Sequence, residues 1–170
     1  MWRLTDYPAE EIEADLIVTG LYTKREMDES SLHLARRMGG FALNHLEETK
    51  LPKGEGLLIT SPKGWRAPWV LWMGLGNAAH FSIDTLKEVL LKCTEIMRGI
   101  GVEAPCFTLM GEGAPSQIST PRIAEEILNL TPFKTGELFH PRREVLYSLF
   151  SALPNRFYYK LWSERNKKEN

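Results

Sequence analysis

Two periods of apolar residues alternate along this chain. Short apolar runs at residues 15–19, 57–60, 69–73 and 104–110 are bounded by glycine or proline and read as strands. Val70-Leu71-Trp72-Met73 has no polar interruption, which suits a strand buried on both faces. Trp2-Arg3-Leu4 adds a short first strand. Between these runs the spacing changes to three and four residues. Ala35, Met38, Ala42 and Leu46 form one such stripe, Ile83, Leu86, Leu90, Cys93 and Met97 a second, and Ile123, Ile127, Leu128 and Leu130 a third. Ser30 or Ser31, Ser82 and Thr120 stand where N-caps are needed, with Pro121 as a first helical residue.

Some stretches carry a weaker signal. Gly39-Gly40 interrupts the first helical stripe at ~1 kcal/mol per glycine relative to alanine, so a break or kink is expected there. Val145, Leu146, Leu149 and Phe150 read as a helix that Pro154 ends. Residues 155–163 read as a last helix through the pairs Phe157/Leu161 and Tyr158/Trp162, although a run so aromatic would also suit a strand. Residues 131–137 read as a connector. Turns at residues 52–56 and 62–64 flank the second apolar run, so it pairs with residues 69–73 as an antiparallel hairpin.

Strands alternating with helices define an α/β chain, and the hairpin makes its sheet mixed. The strands are expected to stop at Gly20, at Gly74-Leu75-Gly76-Asn77 and at Gly111-Glu112-Gly113. If they are parallel neighbours, these loops gather at one sheet edge. Glycines there let backbone N–H groups approach a ligand, and the helix starts at Ser82 and Ser119-Thr120 offer positive dipole ends. The candidate ligand-binding residues are therefore Gly20, Gly74, Leu75, Gly76, Asn77, Gly111, Glu112, Gly113, Ser119 and Thr120. A small anion, such as a phosphate or carboxylate, fits that chemistry. The competing reading is that the glycines only permit tight turns, and Glu112 would repel an anion.

Composition narrows the classes. The chain of 170 residues suits one domain. A net charge of −1 gives no basic face for nucleic acid. No apolar run approaches the ~20 residues of a membrane span, and the N-terminus does not resemble a signal peptide, so a cytoplasmic location is expected. Cys93 and Cys106 form no CxxC pair and read as small buried hydrophobes.

Other chemistry is not encoded in recognisable form. His33, His45, His80 and His140 are scattered, with no metal-ligand spacing. There is no GxSxG elbow and no GxxxxGK[ST] loop, and Gly74-Leu75-Gly76 lacks the third glycine of a dinucleotide fingerprint. No cofactor is expected. Trp65, Trp69, Trp72, Tyr158, Tyr159 and Trp162 exceed what a small core needs, and such rings favour interfaces.

Four stretches add a family resemblance: Ala14-Asp15-Leu16-Ile17-Val18, Met38-Gly39-Gly40-Phe41, Lys53-Gly54-Glu55-Gly56, and Val70-Leu71-Trp72-Met73-Gly74-Leu75-Gly76. In this order the chain resembles the N-terminal domain of leucine aminopeptidases, which is similar in fold to macro domains, over about its first 130 residues. The resemblance implies a three-layer α/β/α sandwich with a mixed sheet, and residues 131–170 as a C-terminal extension packed on that core. The family's metals and catalytic residues belong to a separate domain, so no peptidase activity carries over to residues here. The expectation that follows is a non-catalytic binding or assembly module, partnered by copies of itself or by a separate catalytic subunit. The alternative is a macro-like domain that binds or hydrolyses ADP-ribose or a related nucleotide derivative, although no NAAN-like stretch follows residues 15–19.

Overall fold

A computed structural model describes residues 1–23, 26–39, 46 and 50–162. Seven strands form one sheet among these residues: β1 (Trp2–Thr5), β2 (Leu16–Tyr22), β3 (Gly56–Thr60), β4 (Trp69–Gly76), β5 (Pro105–Thr108), β6 (Glu137–Phe139) and β7 (Phe157–Lys160). Their spatial order is β3-β4-β2-β5-β6-β1-β7. Only β3 runs antiparallel, through the expected hairpin with β4. The other six strands are parallel, so their C-terminal ends share one edge. Among the described residues four helices cover the faces: α1 (Glu29–Met38), α2 (Ile83–Ile100), α3 (Thr120–Leu130) and α4 (Arg143–Ala152).

The two-residue period of the strands sorts the core into two layers. Leu16 and Val18 of β2 join Leu71, Phe107 and Leu138 in a cluster closed by α2, α3 and α4. Ile17 faces the other way, into a cluster with Val70, Trp72, Cys106 and Phe139 that α1 closes through Leu34, Ala35 and Met38. The result is a three-layer α/β/α sandwich. α2 follows its sequence pattern: Ser82 caps it, and Leu86, Leu90 and Met97 are fully buried, each worth ~2 kcal/mol in transfer free energy. Cys93 and Cys106 are buried free thiols, and burial pushes the Cys93 thiol up to about 12. No helix among the described residues is long and apolar enough to cross a membrane.

Several expectations are corrected. The strands do not stop at their glycines: β2 runs through Gly20 to Tyr22, and β4 runs through Gly74 and Leu75 to Gly76. Gly74 has no room for a side chain, because a Cβ there would lie 2.0 Å from the Pro52 carbonyl oxygen. That close approach is part of the pairing, since Gly54 N–H donates to the Gly74 carbonyl and Gly74 N–H to the Glu55 carbonyl, both at 2.9 Å. Asp28, not Ser30 or Ser31, caps α1, and Ser119, not Thr120, caps α3. α1 ends at Gly39, while residues 40–45 of the expected stripe lie outside the described residues.

The C-terminal part also differs. The expected connector, residues 131–137, runs at its last residue into a strand, and Glu137–Phe139 form β6 between β5 and β1. Residues 157–160, read as helix, form edge strand β7 beside β1, with Trp2 paired to Phe157. Aromatic β-propensity prevails there, and Tyr159 packs on Phe150 of α4 with ring centroids 4.7 Å apart. Trp72 is wholly buried, whereas Trp69 and Tyr158 are exposed.

Candidate functional site

The C-terminal edge of β2, β5 and β6 holds a buried polar network, and its construction begins inside the strands. Thr19 Oγ1 of β2 lies 2.7 Å from Ser31 Oγ and 3.0 Å from Thr108 Oγ1 of β5. These hydroxyl contacts pin the start of α1 across two strands. Asp28 precedes the helix, and its Oδ1 accepts from Ser31 N–H at 2.9 Å. Its other oxygen, Oδ2, accepts from Gly111 N–H at 3.3 Å, so the cap of α1 also holds the loop after β5.

Glu112 completes the arrangement. Its Oε1 accepts from Ser30 N–H at 3.2 Å and from Ser30 Oγ at 2.9 Å. Its Oε2 lies 2.8 Å from His140 Nε2, at the end of β6. His140 Nδ1 accepts from Arg142 N–H at 3.0 Å, so Nε2 carries the ring hydrogen and donates to Glu112. Asp28, Ser30, Ser31, Glu112 and His140 are all buried. Buried polar groups of this kind are tolerated because nearly all are hydrogen-bonded.

Two carboxylates sit at the N-terminus of α1, where the helix dipole favours negative charge. Burial nevertheless dominates at Asp28 and raises its carboxyl to about 6. The bonds from Ser31 and Gly111 oppose this rise, and the charge of Glu112 adds to it. Tyr22, at the end of β2, is buried as well. Its phenol is pushed up by burial and then by the charges of Asp28, Glu112 and Glu26, and its hydroxyl has no partner among the described residues. Phe81 stands edge-on to the Tyr22 ring at 5.7 Å and closes over Gly111, whose absent Cβ would lie 2.1 Å from that ring.

Of the residues expected to bind a ligand, only Gly111 and Glu112 belong to this network. Gly113 follows at the surface, in open space. Gly20 is a neighbour inside β2, and Leu75 fills the room that its missing side chain leaves. Gly76 pairs with Tyr22 along the strand edge, past a register shift. Gly74 and Leu75 are spent on the sheet and core. Asn77 caps a short 3-10 turn, Ala78–His80, by accepting from Ala79 N–H at 2.9 Å. Ser119 and Thr120 are spent on starting α3.

Asp28, Tyr22 and His140 were not legible as site residues. Asp28 falls in a charged stretch without apolar period, and its one signal is the Asp-x-x-Ser spacing of an N-cap. His140 directly follows a buried strand of three residues, too short to register. No group of three or more His, Cys, Asp or Glu residues among those described could hold a metal. A neighbouring pocket of about 290 Å³ opens at the same edge, beyond β6 and β1, lined by Asp6, His33, Arg37, Pro141, Arg143 and Trp162.

This fold is that of the macrodomains. The chain superposes on the macrodomain of Mycobacterium tuberculosis DarG with a TM-score of 0.67 at 9% identity, covering 84% of this chain and 99% of that one. The macrodomain of Thermus aquaticus DarG gives 0.65 at 12% identity, covering 83% and 99%. A Trypanosoma brucei macrodomain in complex with ADP-ribose gives 0.66 at 17% identity, covering 88% and 68%. No protein-family model matches the chain, and no curated protein matches its sequence. The expectation of an aminopeptidase-type assembly module is therefore corrected: these neighbours are macrodomains, and one was solved with ADP-ribose bound.

Proposed function

We propose that this chain binds ADP-ribose or a closely related nucleotide derivative at the C-terminal edge of β2 and β5. The observation that carries the reading is convergence. The N-terminus of α1 and the Gly111-Glu112-Gly113 loop meet at the ends of two adjacent parallel strands, on a fold shared with a macrodomain solved with ADP-ribose. Backbone N–H groups and a helix start are the chemistry that holds a diphosphate. Tyr22, paired with Gly76 at the same edge, has a hydroxyl with no partner among the described residues and supplies a further polar group for such a ligand.

Isothermal calorimetry and thermal melts with ADP-ribose, ADP and AMP test this. Saturation at about a hundredfold over Kd stabilises a protein by ~2.7 kcal/mol, which for a domain of this size raises Tm by roughly 5–10 °C. ADP-ribose is expected to give that shift and AMP a smaller one. Absence of heat and of any Tm shift with all three, in mildly acidic and in neutral buffer, would sink the reading. Gly111→Val is unsuitable as a control, because its side chain would drive into Phe81 and test folding instead.

A further inference from the structure

We propose that Glu112 is a built-in competitor for the ligand's phosphates, an internal anion whose charge must be neutralised or withdrawn before the site fills. This rests on the reading of the site given above. The backbone donors that an anion needs at this edge are Ser30 N–H and Ser31 N–H of α1 and Gly111 N–H of the glycine loop. Each is already engaged by a carboxylate of the chain itself: Ser30 by Glu112 at 3.2 Å, Ser31 by Asp28 at 2.9 Å, and Gly111 by Asp28 at 3.3 Å. The site is self-occupied.

The two carboxylates are not equivalent. Asp28 belongs to the helix it caps, and losing it would leave the first turn of α1 without its side-chain acceptor. Glu112 comes from a different element and stands between two glycines of positive φ, Gly111 at 94° and Gly113 at 70°. Gly113 is exposed with open space around it, so the loop can turn there without clearing a packed neighbour. Glu112 is thus the removable member of the pair. The titratable groups facing it are Asp28 from the start of α1, His140 from the end of β6, and Tyr22 from the end of β2. Among the described residues no lysine or arginine pairs with Asp28 or Glu112. A phosphate entering here adds negative charge beside two carboxylates, an arrangement that favours taking up a proton.

Calorimetry with ADP-ribose tests this directly. Its two phosphates form an internal diphosphate with no terminal monoester, so the ligand's own charge stays constant across the range used. Glu112→Gln keeps an acceptor for Ser30 N–H and removes the charge. It is expected to bind ADP-ribose about tenfold or more tightly than the parent at about pH 7.5. The parent is expected to tighten about tenfold between about pH 7.5 and 5.5, and to take up a proton on binding, read from heats in two buffers of different ionisation enthalpy. The variant should show less of both, what remains belonging to Asp28. Should Glu112→Gln fold poorly, Glu112→Ala is measured in its place, with the same tightening expected at about pH 7.5, because the parent's pH dependence alone would not separate Glu112 from Asp28. Equal affinity of the two proteins at both pH values overturns the inference, whatever proton Asp28 takes up, and leaves the binding reading intact. No binding by either protein at either pH overturns the binding reading, and this inference with it.

Discussion

Gly74-Leu75-Gly76 and Gly111-Glu112-Gly113 are the same three-residue pattern, one at the end of β4 and one in the loop after β5, and both strands have β2 as a neighbour. In the first, the middle residue is a leucine buried in the core, and the first glycine lies under the backbone of Leu51 and Pro52. In the second, the middle residue is a buried glutamate that ties α1 to β6 through Ser30 and His140. One pattern is consumed by the sheet, and the other becomes a polar junction at the sheet's edge. The difference is not local. It comes from what lies over each glycine: backbone at Gly74, and an aromatic ring with a carboxylate at Gly111. The first glycine of each pattern therefore marks a close approach, and the approaching group decides whether that closeness serves folding or binding.

The most severe test of this contrast is Gly74→Ala. Its Cβ would sit 2.0 Å from the Pro52 carbonyl oxygen and 2.7 Å from that of Leu51. Neither is the movable tip of a side chain, so the β3–β4 hairpin must part to admit a methyl group. A loss of about 3 kcal/mol or more is expected, a large share of the stability of a domain this size. Urea unfolding would show it as a large fall in the midpoint or as an unfolded baseline. A near-native midpoint would mean that Pro52 yields easily and that the first pattern is no more constrained than the second.

A second test uses pH to separate the junction from the rest of the fold. The Asp28 carboxyl is raised by burial to about 6, whereas the unfolded chain releases this proton near the ordinary aspartate range. Between about pH 4 and 6 the folded state keeps a proton that the unfolded state has lost, so stability falls as pH rises through that window and levels off above it. The full effect is roughly 3 kcal/mol, an order-of-magnitude figure. Asp28→Asn should flatten this slope, even though it weakens the cap and sets an amide N–H against that of Gly111. An unchanged slope in the variant would show that Asp28 does not carry the proton.

The contrast also explains what could be read from the chain directly. Periodicity exposed α2 and the buried stretch of β4 because both elements satisfy their own pattern, with apolar stripes facing a single layer. β6 escaped because three residues, one of them the ion-paired Glu137 held by Arg3 at 2.5 Å, carry no period. β7 was misread because Phe157/Leu161 and Tyr158/Trp162 satisfy helical spacing, while pairing with β1 rewards the same aromatic residues as a strand. The junction was half legible. Glycine spacing pointed to Gly111 and Glu112, but Asp28 and His140 join them only through the parallel order of β2, β5 and β6. Such long-range assembly leaves no mark in the local sequence.

The mildest and sharpest test is Gly113→Ala. This glycine has a φ of 70°, and a Cβ built on it meets nothing within 4 Å. The cost is therefore conformational alone: an L-residue in the left-handed region loses roughly 1 kcal/mol against glycine. Alanine also restricts the unfolded chain, which returns about 0.4–1 kcal/mol where the native angle is tolerated. The net loss should fall at or below about 1 kcal/mol, a Tm change of no more than roughly 4 °C. The same Gly→Ala change in the two patterns then differs by at least about 2 kcal/mol, with identical chemistry removed and added. If Gly113→Ala proved as damaging as Gly74→Ala, the glycine beside Glu112 would also be pressed against structure, and the freedom that lets Glu112 leave its place would be gone.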